Sequence, residues 1–159
     1  MAELNLEAER IDSRDIRNRV EELTALQEDL AAARTELEEY LQAADEDEDE
    51  ADPDMEATLR KAVDEARELF GPDEEAELAT LEEVDTEGEQ IIGDWEHGET
   101  LIREDKFKEY AQELAEDIGA IDSNAAWPNN CIDWEKAARE LRMDYNEIEI
   151  DGTTYLGRA

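Results

Sequence analysis

The chain is poor in the residues that carry most protein chemistry. It has one cysteine and one histidine in 159 residues, three prolines, and 15 Lys+Arg, only four of them lysine. A lone Cys131 cannot close an intramolecular disulfide, which fits a reducing compartment. One Cys and one His do not make a structural zinc site, which draws on several such ligands. A Cys131–His97 nucleophile pair has no supporting turn motif around Asn130-Cys-Ile132, and Cys131 beside Ile132 reads as a small core residue. There is no phosphate-cradling loop and no dinucleotide glycine pattern. No metal, cofactor or catalytic residue is expected, and the chain does not read as an enzyme. No apolar run approaches the length of a membrane span, about 18 residues. The opening Met1-Ala-Glu-Leu-Asn5 lacks the basic and apolar parts of a secretory signal. The expectation is a soluble cytoplasmic protein, placed in the host cytoplasm if the chain is phage-encoded.

Acid is what the chain has instead. Fifty Asp+Glu give a formal net charge of -35. Such a chain does not bind nucleic acid or an anionic membrane directly, because both are negative. Self-repulsion of this size also opposes compaction. Duplex DNA carries about one negative charge per 1.7 Å of axis, so -35 corresponds to roughly 60 Å of duplex. A duplex mimic is one reading of that match. The acid-rich surface of a protein from a salt-loving organism is another, and an acidic chaperone of basic proteins is a third. Composition alone does not separate them.

The pattern along the chain predicts a mainly α protein with a small α+β module at its C-terminal end. After ten residues without clear pattern, Asp12 or Ser13 is positioned to cap a helix over about 13–43. Ile16, Val20, Leu23, Gln27, Leu30, Arg34, Leu37 and Leu41 form a heptad seam with two polar interruptions, flanked by Leu26, Ala33 and Tyr40. That stripe is buried either in an intramolecular helical hairpin or in a coiled-coil homodimer through 13–43. Asp45-Glu-Asp-Glu-Asp-Glu50 reads as part of a flexible acidic linker over 45–52, because like charges repel. Asp52-Pro53 starts a second helix with Met55, Leu59, Val63, Ala66 and Phe70 on its apolar side, and Gly71-Pro72 ends it. A third, short helix uses Ala76, Leu78, Leu81 and Val84. Between Arg67 and Arg103 there is no cation, and 13 acids lie in that interval. Gly88, Gly93 and Gly98 predict irregular structure around Trp95.

Asp105 is a candidate cap for a helix over about 106–118 with Phe107, Tyr110, Ala111, Leu114 and Ile118 on one face. Gly119 closes it. Asp133 starts another helix over about 134–144, burying Trp134, Ala137, Ala138, Leu141 and Tyr145. The period then changes to two. Glu147–Ile150, Asp151-Gly152 and Thr153–Leu156 predict a β-hairpin with a two-residue turn. Trp134, Leu141 and Tyr155 are expected to share its core. Two regions result: an acidic helical region, 1–90, and an α+β module, 91–159.

The stretch from about Asp94 to Gly157 resembles the C-terminal part of the ArdA-type antirestriction proteins and related phage proteins. The residues that carry the likeness are Tyr110-Ala-Gln-Glu-Leu-Ala-Glu-Asp-Ile-Gly-Ala-Ile121, then Ile132-Asp-Trp-Glu-Lys-Ala-Ala-Arg-Glu-Leu141, then Asp144-Tyr145 and Ile148-Glu-Ile-Asp-Gly-Thr-Thr-Tyr155. Together they cover about 40% of the chain. Cys131 departs from the aromatic that the family often carries there, and the first 90 residues do not resemble the family's N-terminal domains. What the resemblance implies is an acidic DNA mimic that occupies the DNA groove of a host defence enzyme, most simply a type I restriction–modification enzyme. Another DNA-binding defence system such as a CRISPR effector offers the same kind of basic channel. The partner-facing acids on this reading are Glu74, Glu75, Glu82, Glu83, Asp85, Glu87, Glu109, Glu113, Glu116, Asp117, Glu135, Glu140 and Asp144.

Overall fold

A computed structural model describes residues 4–47, 49 and 51–159. Its elements in chain order are β1 (Arg10–Asp12), α1 (Ser13–Glu46), α2 (Pro53–Leu69), α3 (Pro72–Ile91), β2 (Thr100–Arg103), α4 (Phe107–Asp117), α5 (Trp134–Leu141), β3 (Tyr145–Ile150) and β4 (Thr153–Arg158). The protein is mainly α with a small four-stranded antiparallel sheet. Contacts divide the chain into two compact units, 18–79 and 1–17 together with 80–159. The boundaries therefore fall inside α1 and α3, and the sheet unit takes in the N-terminal residues. Among the described residues, no helix is long and apolar enough to cross a membrane.

Unit 18–79 is the helical hairpin. The α1 seam residues Leu23 and Leu30 are buried, as are Leu59, Val63 and Phe70 from the α2 segment and Leu78 from α3. The two polar interruptions of the seam, Gln27 and Arg34, are exposed. Tyr40 Oη donates to Asp52 O and accepts from Asp52 N–H, at 2.7 and 2.6 Å. Leu30, Ala31 and Arg34 line one hollow with Phe70 and Gly71. The start of α2 thus lies beside Tyr40 and its end beside Leu30, so α2 runs back along α1. Arg19 clamps Glu77 of α3 through two parallel bonds of 2.8 Å. The N-cap of α2 is the expected one: Asp52 accepts from Asp54 N–H, with Pro53 in the first turn. Capping of this kind contributes about 1 kcal/mol.

Several expectations are corrected here. Asp45 and Glu46 belong to α1 rather than to a linker; Glu48 and Glu50 of the expected linker, 45–52, lie outside the described residues. Met55 is 48% exposed and is not part of the buried stripe. The third helix is not short: α3 has 20 residues and runs straight through Gly88.

The sheet unit packs α4 and α5 on one face of a four-stranded sheet. Strand order is β1-β2-β4-β3, every pair antiparallel. Ile102 opposes Leu156 in the ladder, and both bury against Phe107 and Ala111 of α4 and Ala138 of α5, with Tyr110, Leu141 and Tyr145 packed alongside. On the other face Leu101, Ile148, Ile150 and Tyr155 are fully buried, and Ile92 at the end of α3 reaches that face beside Gly157. The expected hairpin forms. Asp151 and Gly152 both take positive φ, +47° and +79°, the conformation that a two-residue turn needs to match strand twist. Tyr155 does not share the Trp134–Leu141 side, because adjacent ladder positions point to opposite faces. Its hydroxyl meets the carbonyls of Leu6 and Ala8 instead.

The patternless first residues supply β1, and the glycine-broken stretch holds a 3₁₀ turn, Trp95–His97, followed by β2. Ser13 is fully buried at the start of α1. It donates to Trp95 O and accepts from Glu99 N–H, at 2.7 and 2.8 Å, so its burial leaves no orphan group. Asp12 accepts from Arg14 N–H at 2.9 Å and caps the helix. Asp105 does not cap α4; it is paired with Arg103. Ile118 is 70% exposed rather than on the buried face of α4. Gly119 has φ +72°, and Ala120 N–H returns to Ala115 O, so α4 ends as expected. Asp133 caps α5 through Lys136 N–H. Cys131 is exposed, not a core residue.

Candidate acidic interface

The acids singled out from the sequence fall into three structural situations. In unit 18–79, Glu74 turns inward and accepts from the Gly71 N–H at 3.0 Å. That is the reciprocal half of a helix-capping arrangement, so its carboxylate is committed to the fold. Glu75, one residue on, is exposed. It lines the hollow of about 310 Å³ above Leu30 and Phe70, together with Arg34 and Arg67.

In the sheet unit, the inward residues of α3 are Leu81, Val84 and Gly88, so Glu82, Glu83 and Glu87 face outward and are exposed. None of the three has an ion-pair partner among the described residues. Asp85 differs. It is half-buried, accepts from Trp95 Nε1 at 2.6 Å and lies 3.6 Å from Arg17 Nε. It anchors a buried ring and is withdrawn from any partner.

On α4 and α5, the outward acids are partly neutralised. Glu109 pairs with Lys106 at 3.3 Å, Glu113 with Arg10, Glu135 with Lys108 at 3.6 Å and Glu140 with Lys136 at 4.0 Å. Glu116, Asp117 and Asp144 are exposed and carry no ion pair among the described residues. The structure therefore makes eleven of the thirteen acids exposed, all but Glu74 and Asp85.

The cations explain why an acidic surface survives. At least eleven of the 15 Lys and Arg side chains are engaged in ion pairs, the other four being Arg34, Arg67, Arg139 and Arg158. Several join distant segments. Lys106 holds Glu9 at 3.2 Å, Arg142 holds Glu104 at 2.9 Å, and Arg103 donates to Glu7 O. Hydrogen bonding to Arg14 holds the Asp12 carboxyl below the usual range, and Arg103 does the same to Asp105. Burial pushes the Glu99 carboxyl up, against the Arg158 N–H, and pushes the Tyr145 hydroxyl up beside Tyr110.

His97 and Cys131 are both exposed. A shallow hollow of about 370 Å³ has Glu89, Asp94, Trp95, Glu96 and His97 in its lining. Among the described residues, no group of three or more His, Cys, Asp or Glu is placed to hold a metal ion. Missed by the sequence reading is Trp127, 75% exposed in the loop before α5. Its Trp-Pro context reads as a turn and gives no hint that the ring faces solvent.

Comparisons with protein-family models, with characterised proteins and with solved structures find no match to this chain.

Proposed function

We propose that the protein is an acidic DNA mimic that occupies the duplex-binding groove of a host defence enzyme, most simply a type I restriction–modification enzyme. One observation carries the reading. Its unpaired acids stand on folded helices, outward and at fixed spacing, while most of its cations are engaged in ion pairs within the chain. A groove lined with Lys and Arg gains affinity by neutralising phosphates and releasing counterions. Carboxylates held in place exploit the same attraction, which a flexible acidic tail does with less positional order. On α3, Glu83 and Glu87 are separated by about 6 Å of helix rise, whereas phosphates of one strand recur about every 3.4 Å of axis. A single row is therefore too sparse, and the mimicry is a property of several acidic surfaces together. No bond is made or broken in this mechanism. Inhibition is occupancy.

The test is competition. A purified type I restriction enzyme is titrated with the protein, and duplex DNA is added as competitor at several salt concentrations. The expected result is mutual displacement, with inhibition weakening as salt rises. The triple variant Glu82→Gln, Glu83→Gln, Glu87→Gln is the first choice, because those acids hold nothing in the fold. The corresponding change at Glu109, Glu113 and Glu116 would also break the pairs to Lys106 and Arg10. The triple is expected to weaken inhibition and flatten its salt dependence. DNA that fails to compete would defeat the mechanism, and an abrupt loss from one conservative change would argue for a discrete site.

A further inference from the structure

We infer that the loop running from Ile118 to Asp133 is a docking surface for the basic protein partner, with Trp127 as its apolar anchor inside an acidic rim. The inference rests on the mimicry reading and adds to it a contact that charge alone does not provide.

Trp127 is set apart from the other two tryptophans. Trp95 is 2% exposed and Trp134 is part-buried, whereas Trp127 is 75% exposed. Ile118, at the start of the same loop, is 70% exposed. Exposed apolar residues are ordinary when scattered singly, so exposure is only the beginning. The loop that displays the ring is tied to itself. Asn124 N–H donates to Asp122 Oδ1 at 2.9 Å, Asn129 Nδ2 donates to Asp122 O at 2.6 Å, and Asn130 N–H donates to Ala126 O at 3.0 Å. Cys131 N–H closes on Pro128 O at 2.8 Å. A large ring on a pre-ordered loop loses little entropy on binding, which is what binding hot spots exploit.

The charge pattern states what kind of partner fits. From Glu109 to Glu135 there is no Lys or Arg, and of the seven acids that occur, Glu109, Glu113 and Glu135 are paired with cations from outside the stretch while four remain. Glu116 and Asp117 stand exposed, and without an ion pair among the described residues, immediately before Ile118. An apolar residue within such a field repels other acidic surfaces and matches a basic one. The partner is therefore a basic, duplex-binding protein with an apolar recess beside its cationic groove. This arrangement also resolves a weakness of pure charge mimicry. Affinity built only on ion neutralisation collapses as salt rises, whereas burial of an indole does not.

The test uses the full chain and a purified type I restriction enzyme. Affinities of wild type, Trp127→Ala, Trp127→Phe and the α3 triple are measured across a salt series. Trp127→Ala is expected to weaken binding at least ten-fold at every salt concentration, with the salt slope unchanged and the melting temperature close to wild type. Trp127→Phe should recover part of the loss. The α3 triple should change the slope instead. Quenching by acrylamide, a neutral probe that the net charge does not repel, should fall when the enzyme is added to wild type, because Trp127 becomes covered. Wild type that binds, with Trp127→Ala binding equally well, overturns the anchor and leaves the mimicry standing. Undiminished quenching in the complex does the same. Wild type that does not bind the enzyme overturns both. Should Trp127→Ala fail to fold, the Trp127→Phe affinity and the quenching decide the matter.

Discussion

Replacing Gly88 by alanine sets two effects of opposite sign against each other. Gly88 lies inside α3, and at an open helical position Gly→Ala stabilises by about 1 kcal/mol. Here a Cβ would sit 2.5 to 2.6 Å from Cε2, Cδ2 and Cη2 of Trp95. The ring is almost fully buried and is held by its Nε1 bond to Asp85, so it has little room to retreat. Overpacking a core costs about 1–3 kcal/mol, and straining a hydrogen bond to a charged group puts about 1.5–3 kcal/mol at risk. These losses overlap, since one movement of the ring causes both. The net expectation is a destabilisation of about 1–4 kcal/mol, after the propensity gain is subtracted. For a chain of this size that is a fall in melting temperature of about 2–16 °C. Far-ultraviolet circular dichroism through a thermal ramp, with urea unfolding as a second measure, reads it directly. The control is the same change in a Trp95→Leu background, where the clash is gone and Gly88→Ala should be neutral or stabilising. A Gly88→Ala protein that melts higher than wild type would refute the steric reasoning. An equal loss in the Trp95→Leu background would refute the assignment of the loss to the ring.

Three further outcomes are expected. Self-repulsion should be relieved by screening, whose range falls to about 3 Å at 1 M salt, so the melting temperature should rise from low salt to 0.5 M sodium chloride; a flat or falling trend would mean that local pairing already compensates the charge. Burial raises the Glu99 carboxyl in the folded state, so the fold holds that proton more readily than the unfolded chain, and the associated stability is present below the ordinary carboxylate range and is lost as pH rises through the raised value. Glu99→Gln should accordingly raise the melting temperature at pH 7 and remove that decline, and a lower melting temperature at every pH would show that the carboxylate is stabilising. Trp134 is part-buried rather than enclosed, so Trp134→Ala should cost about 1–3 kcal/mol, below the 3–5 expected of a fully buried ring; urea unfolding that shows no loss would place the indole outside the packing.

The elements that could be read from the sequence are those whose signals are local. Asp52-Pro53 and Asp133 announce their helices because a cap acts on amides two or three residues away. Asp151-Gly152 announces the hairpin because a two-residue turn demands positive φ in place. The heptad seam of α1 is legible because its period repeats. Elements set by distant partners were not legible. β1 and β2 have three and four residues, too few to show alternation, and exist because Arg10–Asp12 finds Thr100–Ile102. Gly88 signals a break on its own, yet the helix continues because Trp95 fills the space beside it. The outward acids of α3 and α4 follow from helical period. Which of them are neutralised does not, since Arg10 reaches Glu113 across 103 positions of sequence. Exposure of Trp127 and Cys131 is likewise a property of how their loop is tied, not of the residue types.

The pairing of β1 with β2 has a consequence for how the chain is made. The two strands are about 90 residues apart, and a ribosome adds about 5–20 residues per second. Arg10–Asp12 therefore waits about 4–18 s after synthesis before Thr100–Ile102 exists to receive it. β4, which β2 needs on its other edge, comes later still. During that interval the α1–α2 hairpin, whose contacts span a much shorter stretch of chain, has both of its helices available. The strongly charged hairpin is thus the first part of the fold whose elements have all been synthesised. It keeps a nascent chain with an unpaired strand well solvated, and like charges hold neighbouring copies apart until the sheet can close.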